Sequence, residues 1–102
     1  MHVLVIATSL NPESRSAVLA QAAADVLESG GNEGETLEVE LIDLRDHELP
    51  HCDGDASYQH PTVEKLTGAG RRADLILLAV PIYNYDVNGA AKSLIEFCGR
   101  SW

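Results

Sequence analysis

Two short runs of the chain, Val3–Ala7 and Leu75–Val80, are apolar at every position. Runs of this length fit strands covered on both faces better than they fit helices. Strands of that kind belong to parallel sheets, whose connections lay helices over each face. The expectation is an α/β domain, and 102 residues allow one such domain. An apolar content of 45% supplies the core, and a chain of this size buries roughly 60–70% of its unfolded surface.

The segments between the two runs support that class. From about Pro12 to Ser29, Ala17, Val18, Ala20, Ala24, Val26 and Leu27 recur at near-helical spacing. Asn11–Pro12 resembles an N-cap followed by proline, and Gly30–Gly31 ends the helix. "NEGE" reads as a turn. Residues 37–44 alternate Leu37, Val39 and Leu41 against Glu38 and Glu40, the pattern of a half-exposed strand. Residues 45–61 have no periodicity and are rich in Pro, Gly, Asp and His, a long functional or mobile loop. Helices follow over about Thr62–Arg72 and Asn88–Cys98. The second is expected to turn Ala91, Leu94, Ile95 and Cys98 inward and to pair Lys92 with Glu96.

The order β-α-β-α-β-α implies right-handed crossovers and, in a doubly wound sheet, the strand order 2-1-3. The strand at 75–80 would then lie on an open edge, with no charge or proline to blunt it. The expectation is that residues 1–102 form the N-terminal part of a larger fold whose strands 4 and 5 are absent.

The formal net charge of −9 disfavours a nucleic-acid partner. No run approaches the ~20 apolar residues of a membrane span, and the first ten residues lack a signal-peptide pattern. The expected location is cytoplasmic, with no membrane partner. Cys52 and Cys98 are far apart and form no C-x-x-C, so neither a disulfide framework nor a zinc site is indicated.

In open α/β sheets ligands sit at the carboxyl ends of the strands, beside the switch between strands 1 and 3. The segments leaving those strands are "TSLNPESRS" and "PIYNYDVNG". The first combines a helix start with hydroxyls at Thr8, Ser9, Ser14 and Ser16, the Asn11 amide and the Arg15 cation. That set suits an anion, and an acidic chain needs such local compensation. A plain helix cap by Asn11 or Ser14 with a solvated Arg15 explains the same residues. No G-x-G-x-x-G and no G-K-[ST] is present. In the second segment Tyr83 and Tyr85 could flank a planar ring whose edge Asn84 would hydrogen-bond.

Together, "TSLNPESRSAVLA" and "ADLILLAVPIYNYDVNGAAKSLIEFCG" resemble the NAD(P)H-dependent FMN reductase family. The resemblance extends to "DLRDHELP" after the second strand, and to Gly89 and Lys92 in the helix after the tyrosine segment. It implies a flavodoxin-like three-layer α/β sandwich, here about three strands and three helices. It implies that Ser9, Asn11, Ser14, Arg15 and Ser16 surround an FMN phosphate, and that Pro81, Ile82, Tyr83, Asn84 and Tyr85 line the isoalloxazine. Asn11 stands where the family often has arginine, and the chain is about half the family's usual length.

The expected function is that of a flavin-dependent oxidoreductase passing hydride from NAD(P)H through bound FMN to a quinone, a flavin or a similar small-molecule acceptor. No catalytic side chain is demanded, because the cofactor carries the chemistry. A homodimer or higher oligomer formed through the open strand is expected. Two alternatives remain: a non-catalytic anion- or nucleotide-binding module, and a metal-responsive protein. The latter would use His47, His51, Cys52, Asp53 and His60, although their spacing matches no zinc pattern. Under the resemblance the same loop is a substrate-side lid.

Overall fold

The computed structural model describes residues 1–30 and 37–102. Its centre is β1 (His2–Ala7), flanked on both sides by parallel strands, β2 (Glu38–Asp43) and β3 (Leu75–Ala79). The sheet order is β2-β1-β3, as expected. The register sets Val5 between Leu41 and Leu77, and Ile6 between Ile42 and Leu78. The "NEGE" turn lies outside the described residues.

Alternation along β1 feeds two cores. Leu4 and Ile6 point into a layer formed with α2 (Pro61–Arg72) and α3 (Gly89–Cys98), against Val63, Leu66, Leu94 and Phe97. Val3, Val5 and Ala7 point the other way, beneath Ala20 and Ala24 of α1 (Arg15–Ser29). All five are buried, and each of the four larger ones contributes roughly 1.5–3 kcal/mol of burial. The small inner face of α1 lets that helix lie close to the sheet. No helix among the described residues is long and apolar enough to cross a membrane.

The two edges of the sheet differ. Glu38 and Glu40 lie exposed on β2, whereas β3 carries no charge, and Leu75 and Leu77 are 49% and 40% exposed. The continuous apolar pattern of 75–80 predicts burial on both faces, but among the described residues no strand lies beyond β3. Leu75 and Leu77 pair in register with Val3 and Val5, so they share the face that α1 covers. Ala17 and Gln21 of α1 turn toward Leu41 and Asp43 of β2. At 100° per residue the opposite flank of α1, with Ala23 and Leu27 half-buried, lies on the β3 side, and Leu19 and Val26 stand farther out toward solvent. An apolar helix flank and an apolar strand therefore adjoin on one side of the molecule.

Several local expectations are corrected. The first helix starts at Arg15 and not near Pro12, because Ser14 and not Asn11 is its N-cap. Leu94, Ala91 and Cys98 centre the buried stripe of α3, as read, but Phe97 extends it and Ile95 is exposed. The Phe97 side prevails because Tyr58 meets that ring edge-on at a centroid distance of 5.4 Å. Lys92 pairs with Asp86 at 2.8 Å and not with Glu96. The segment after β3 contains an additional hairpin, β4 (Ile82–Tyr83) and β5 (Asp86–Val87). The aperiodic loop contains one 3₁₀ turn, Ala56–Gln59. Near the end of α2, Trp102 lies against Gly70, where a Cβ would overlap the indole.

Candidate functional site

The site is built where β1 and β3 end. Thr8 is fully buried, and its Oγ1 lies 3.1 Å from the Ala79 carbonyl and 3.2 Å from Asn88 Oδ1, with one proton to donate between them. Asn88 Nδ2 donates to the Thr8 carbonyl at 2.8 Å, and Asn88 Oδ1 also accepts from Ala91 N, capping α3. Thr8 and Asn88 together thus tie the two strand ends to the helix that follows. Both loops leave a fixed base.

In the first loop nearly every polar group shapes the backbone. Ser9 Oγ accepts from Asn11 N at 3.2 Å, Asn11 Oδ1 from Glu13 N at 2.9 Å, and Ser14 Oγ from Ala17 N at 3.0 Å. Ser14 N donates to the Asn11 carbonyl. The helix-cap reading is therefore correct for Ser14, but it does not exhaust the residue. Hydroxyls that accept in these bonds still have a proton to donate. The guanidinium of Arg15 is exposed and without a partner among the described residues. First-turn N–H groups of α1 have no partner within the helix. The donor set suits an anion with several oxygens, which is the requirement of a phosphate monoester.

The second segment turns back on itself. Asn84 and Tyr85 form a two-residue turn with φ of 50° and 67°, the left-handed region used by tight hairpins. Tyr85 is fully exposed, and Ile82 and Tyr83 are more than half exposed. The Lys92 ammonium fastens Asp86 to α3 and, together with the Val87 amide, holds its carboxyl below the usual carboxylate range.

A cleft of about 1010 Å³ separates the two loops. Of the ten residues expected at the site, Asn11 and Tyr83 line it from opposite sides. Ser14 and Arg15 face a smaller cleft of about 420 Å³ between α1 and β2. Ser9, Ser16, Pro81, Ile82, Asn84 and Tyr85 line neither.

Sequence reasoning missed Arg45, which lines both clefts. Its Nε reaches both Asp43 carboxylate oxygens, its Nη2 lies 2.6 Å from Oδ2, and its Nη1 donates to the Pro12 carbonyl at 3.1 Å. The guanidinium beside Asp43 holds that carboxyl below the usual range. The available signal was an acid and an arginine two residues apart at a strand end. Asn88 was equally unmarked as more than a helix start.

The histidine loop is committed elsewhere. Lys65 Nζ can only donate, so His47 Nε2 accepts from it at 2.8 Å, and His47 Nδ1–H donates to the Asp43 carbonyl at 3.1 Å. His60 Nδ1 accepts from Thr62 N, at the start of α2. Among the described residues no three His, Cys, Asp or Glu side chains converge to hold a metal ion, so the metal-responsive alternative has no ligand set there. His47 and His51 line the larger cleft.

Residues 1–102 match the family described as NADPH-dependent FMN reductase. An NAD(P)H-dependent FMN reductase of Pseudomonas aeruginosa is 32% identical over 100 residues, which is 98% of this chain and 51% of that protein. The chain thus spans about half the length of the curated relative it matches. The crystal structure of an NADH:FMN oxidoreductase in its apo form superposes with a TM-score of 0.75 at 21% identity, over 94% of this chain and 49% of that one. That likeness concerns the fold, which is flavodoxin-like.

Proposed function

The chain belongs to the NADPH-dependent FMN reductase family, and from that premise we propose that it is an NAD(P)H-dependent oxidoreductase domain whose cofactor is FMN. Bound flavin accepts hydride from a reduced nicotinamide and passes the electrons to a small acceptor such as a quinone or a free flavin. The observation that carries the reading is the juxtaposition at the ends of the paired strands β1 and β3. One strand leads to the loop that opens α1, whose Asn11 lines the 1010 Å³ cleft, and the other to the tyrosine hairpin, whose Tyr83 lines it as well.

In this reading Ser9, Ser14, Ser16 and Arg15 hold the phosphate, and Asn11 closes the phosphate loop without the bidentate contact an arginine would make. Pro81, Ile82, Tyr83, Asn84 and Tyr85 form one wall for the ring. The opposite wall is supplied when the apolar β3 side is covered, by further polypeptide or by a second copy of the chain. Residues 1–102 then form the first half of a flavodoxin-like FMN-binding unit, working in the cytoplasm.

The test is a titration with FMN and with riboflavin, which lacks the phosphate. The Ser9→Ala/Ser14→Ala double variant should lose FMN affinity by ten-fold or more and keep its riboflavin affinity. Equal loss of both would refute the phosphate assignment. The exposure of Tyr83 and Tyr85 favours a second reading, a non-catalytic anion-binding module. Protein that stays colourless with FMN yet binds inorganic phosphate would establish that reading and remove the reductase.

A further inference from the structure

We propose that Arg45 is a positioning residue for the loop at 9–16, acting through the backbone carbonyls of Asn11 and Pro12 and not by lending charge to a ligand. The inference rests on the phosphate reading of that loop.

Three observations lead to it. First, the guanidinium is already neutralised: Nε lies 3.1 and 3.0 Å from the two Asp43 oxygens, and Nη2 lies 2.6 Å from Oδ2. A cation held in a carboxylate fork is poorly placed to serve a second anion. Second, the remaining donor arm points at the loop, with Nη1 at 3.1 Å from the Pro12 carbonyl and 3.4 Å from that of Asn11. Asn11 is also the residue whose carbonyl accepts from Ser14 N, so the clamp lies one bond from the helix cap. Third, Asp43 is itself anchored. It ends β2, its Oδ1 accepts from Arg45 N at 2.9 Å, and its carbonyl accepts from His47. The end of the sheet thereby fixes the loop that opens α1, from the wall between the two clefts.

A planar five-donor fork is needed to hold a carboxylate and two carbonyls at once, which a lysine ammonium cannot reproduce. Arg45→Lys keeps the charge and loses the geometry. Asp43→Asn frees the guanidinium and loosens the clamp. Positioning predicts about ten-fold weaker FMN binding in both variants, with riboflavin affinity unchanged. A direct charge contact predicts near-normal FMN binding in Arg45→Lys and tighter binding in Asp43→Asn, and that pattern would overturn the proposal.

Amide exchange of the ligand-free chain supplies a readout that needs no flavin. Residues 9–16 should exchange about ten-fold faster in both variants, with the rest of α1 unchanged. Unchanged rates in the loop would overturn the proposal whatever the flavin titration gives. If the unmodified chain binds neither FMN nor riboflavin while the exchange result holds, the flavin reading falls and the positioning role stands.

Discussion

Thr8 and Asn88 are joined by two hydrogen bonds across eighty positions of chain, Thr8 Oγ1 to Asn88 Oδ1 at 3.2 Å and Asn88 Nδ2 to the Thr8 carbonyl at 2.8 Å. Both residues are buried, and Asn88 also caps α3. Asn88→Ala removes the cap and leaves the buried Thr8 carbonyl without its donor, while the Thr8 hydroxyl keeps the Ala79 carbonyl. The expected cost is about 2–4 kcal/mol, read as a lower denaturant midpoint. Asn88→Asp keeps the cap acceptor but turns a buried carboxylate oxygen toward the Thr8 carbonyl, so it should be no more stable than the alanine variant. A destabilisation below ~0.5 kcal/mol for the alanine variant would show that the link is dispensable.

Tyr85 occupies the left-handed region at φ 67° with its side chain wholly exposed. Such a conformation costs a non-glycine residue roughly 1–2 kcal/mol, and Asn-Gly is the favoured pair for this turn. Tyr85→Gly should therefore stabilise the chain by about 1 kcal/mol in thermal or chemical unfolding. Under the proposed function it should weaken riboflavin and FMN binding alike, since it removes part of the ring wall. Gain of stability with no loss of flavin affinity would remove Tyr85 from the site.

The Asp43 carboxyl is held below its ordinary pKa chiefly by its hydrogen bond from Arg45, with burial opposing. A depressed folded pKa contributes stability that is present above the unfolded value of about 3.9 and lost as pH falls through the folded value. Asp43→Asn should thus be less stable than the unmodified chain at pH 7, with the gap narrowing below about pH 4. Urea midpoints for the two proteins across pH 2–7 decide it, and a gap independent of pH would contradict the linkage.

The chain has one tryptophan, and Trp102 packs where Gly70 leaves no room for a side chain. Its Nε1 is buried without a hydrogen-bond partner. Gly70→Ala should displace the indole, shift its emission toward longer wavelength and cost about 1–3 kcal/mol as an overpacking change. An unchanged emission spectrum would show that Trp102 does not rest there in solution.

Leu75 and Leu77 leave the β3 side of the sheet apolar and partly exposed. The chain alone should elute as a dimer or larger species. Leu77→Lys, which sets a charge on the uncovered edge, should shift it toward monomer. A monomeric unmodified chain that keeps a sharp unfolding transition would show that this side needs no cover.

The strand order, the presence of the helices and the loops at the strand ends were readable because they depend on periodicity and on short-range chemistry. The unbroken apolar run Val3–Ala7 has few alternatives to a central strand, and Asn88 stands where a helix start belongs. What the sequence did not reveal depends on contacts between distant segments. Lys92 chose Asp86 over Glu96 because the hairpin brings that carboxylate within 2.8 Å, and no spacing rule foresees a turn built on a tyrosine. Phe97 displaced Ile95 from the core because Tyr58, thirty-nine positions earlier, packs against its ring. Arg45 met the carbonyls of Asn11 and Pro12 only once the parallel pairing of β1 with β2 had carried two loops to the same end of the sheet. Local pattern determined which elements form, and tertiary structure decided which side chains meet, because partners far apart in sequence become neighbours only after the strands have paired.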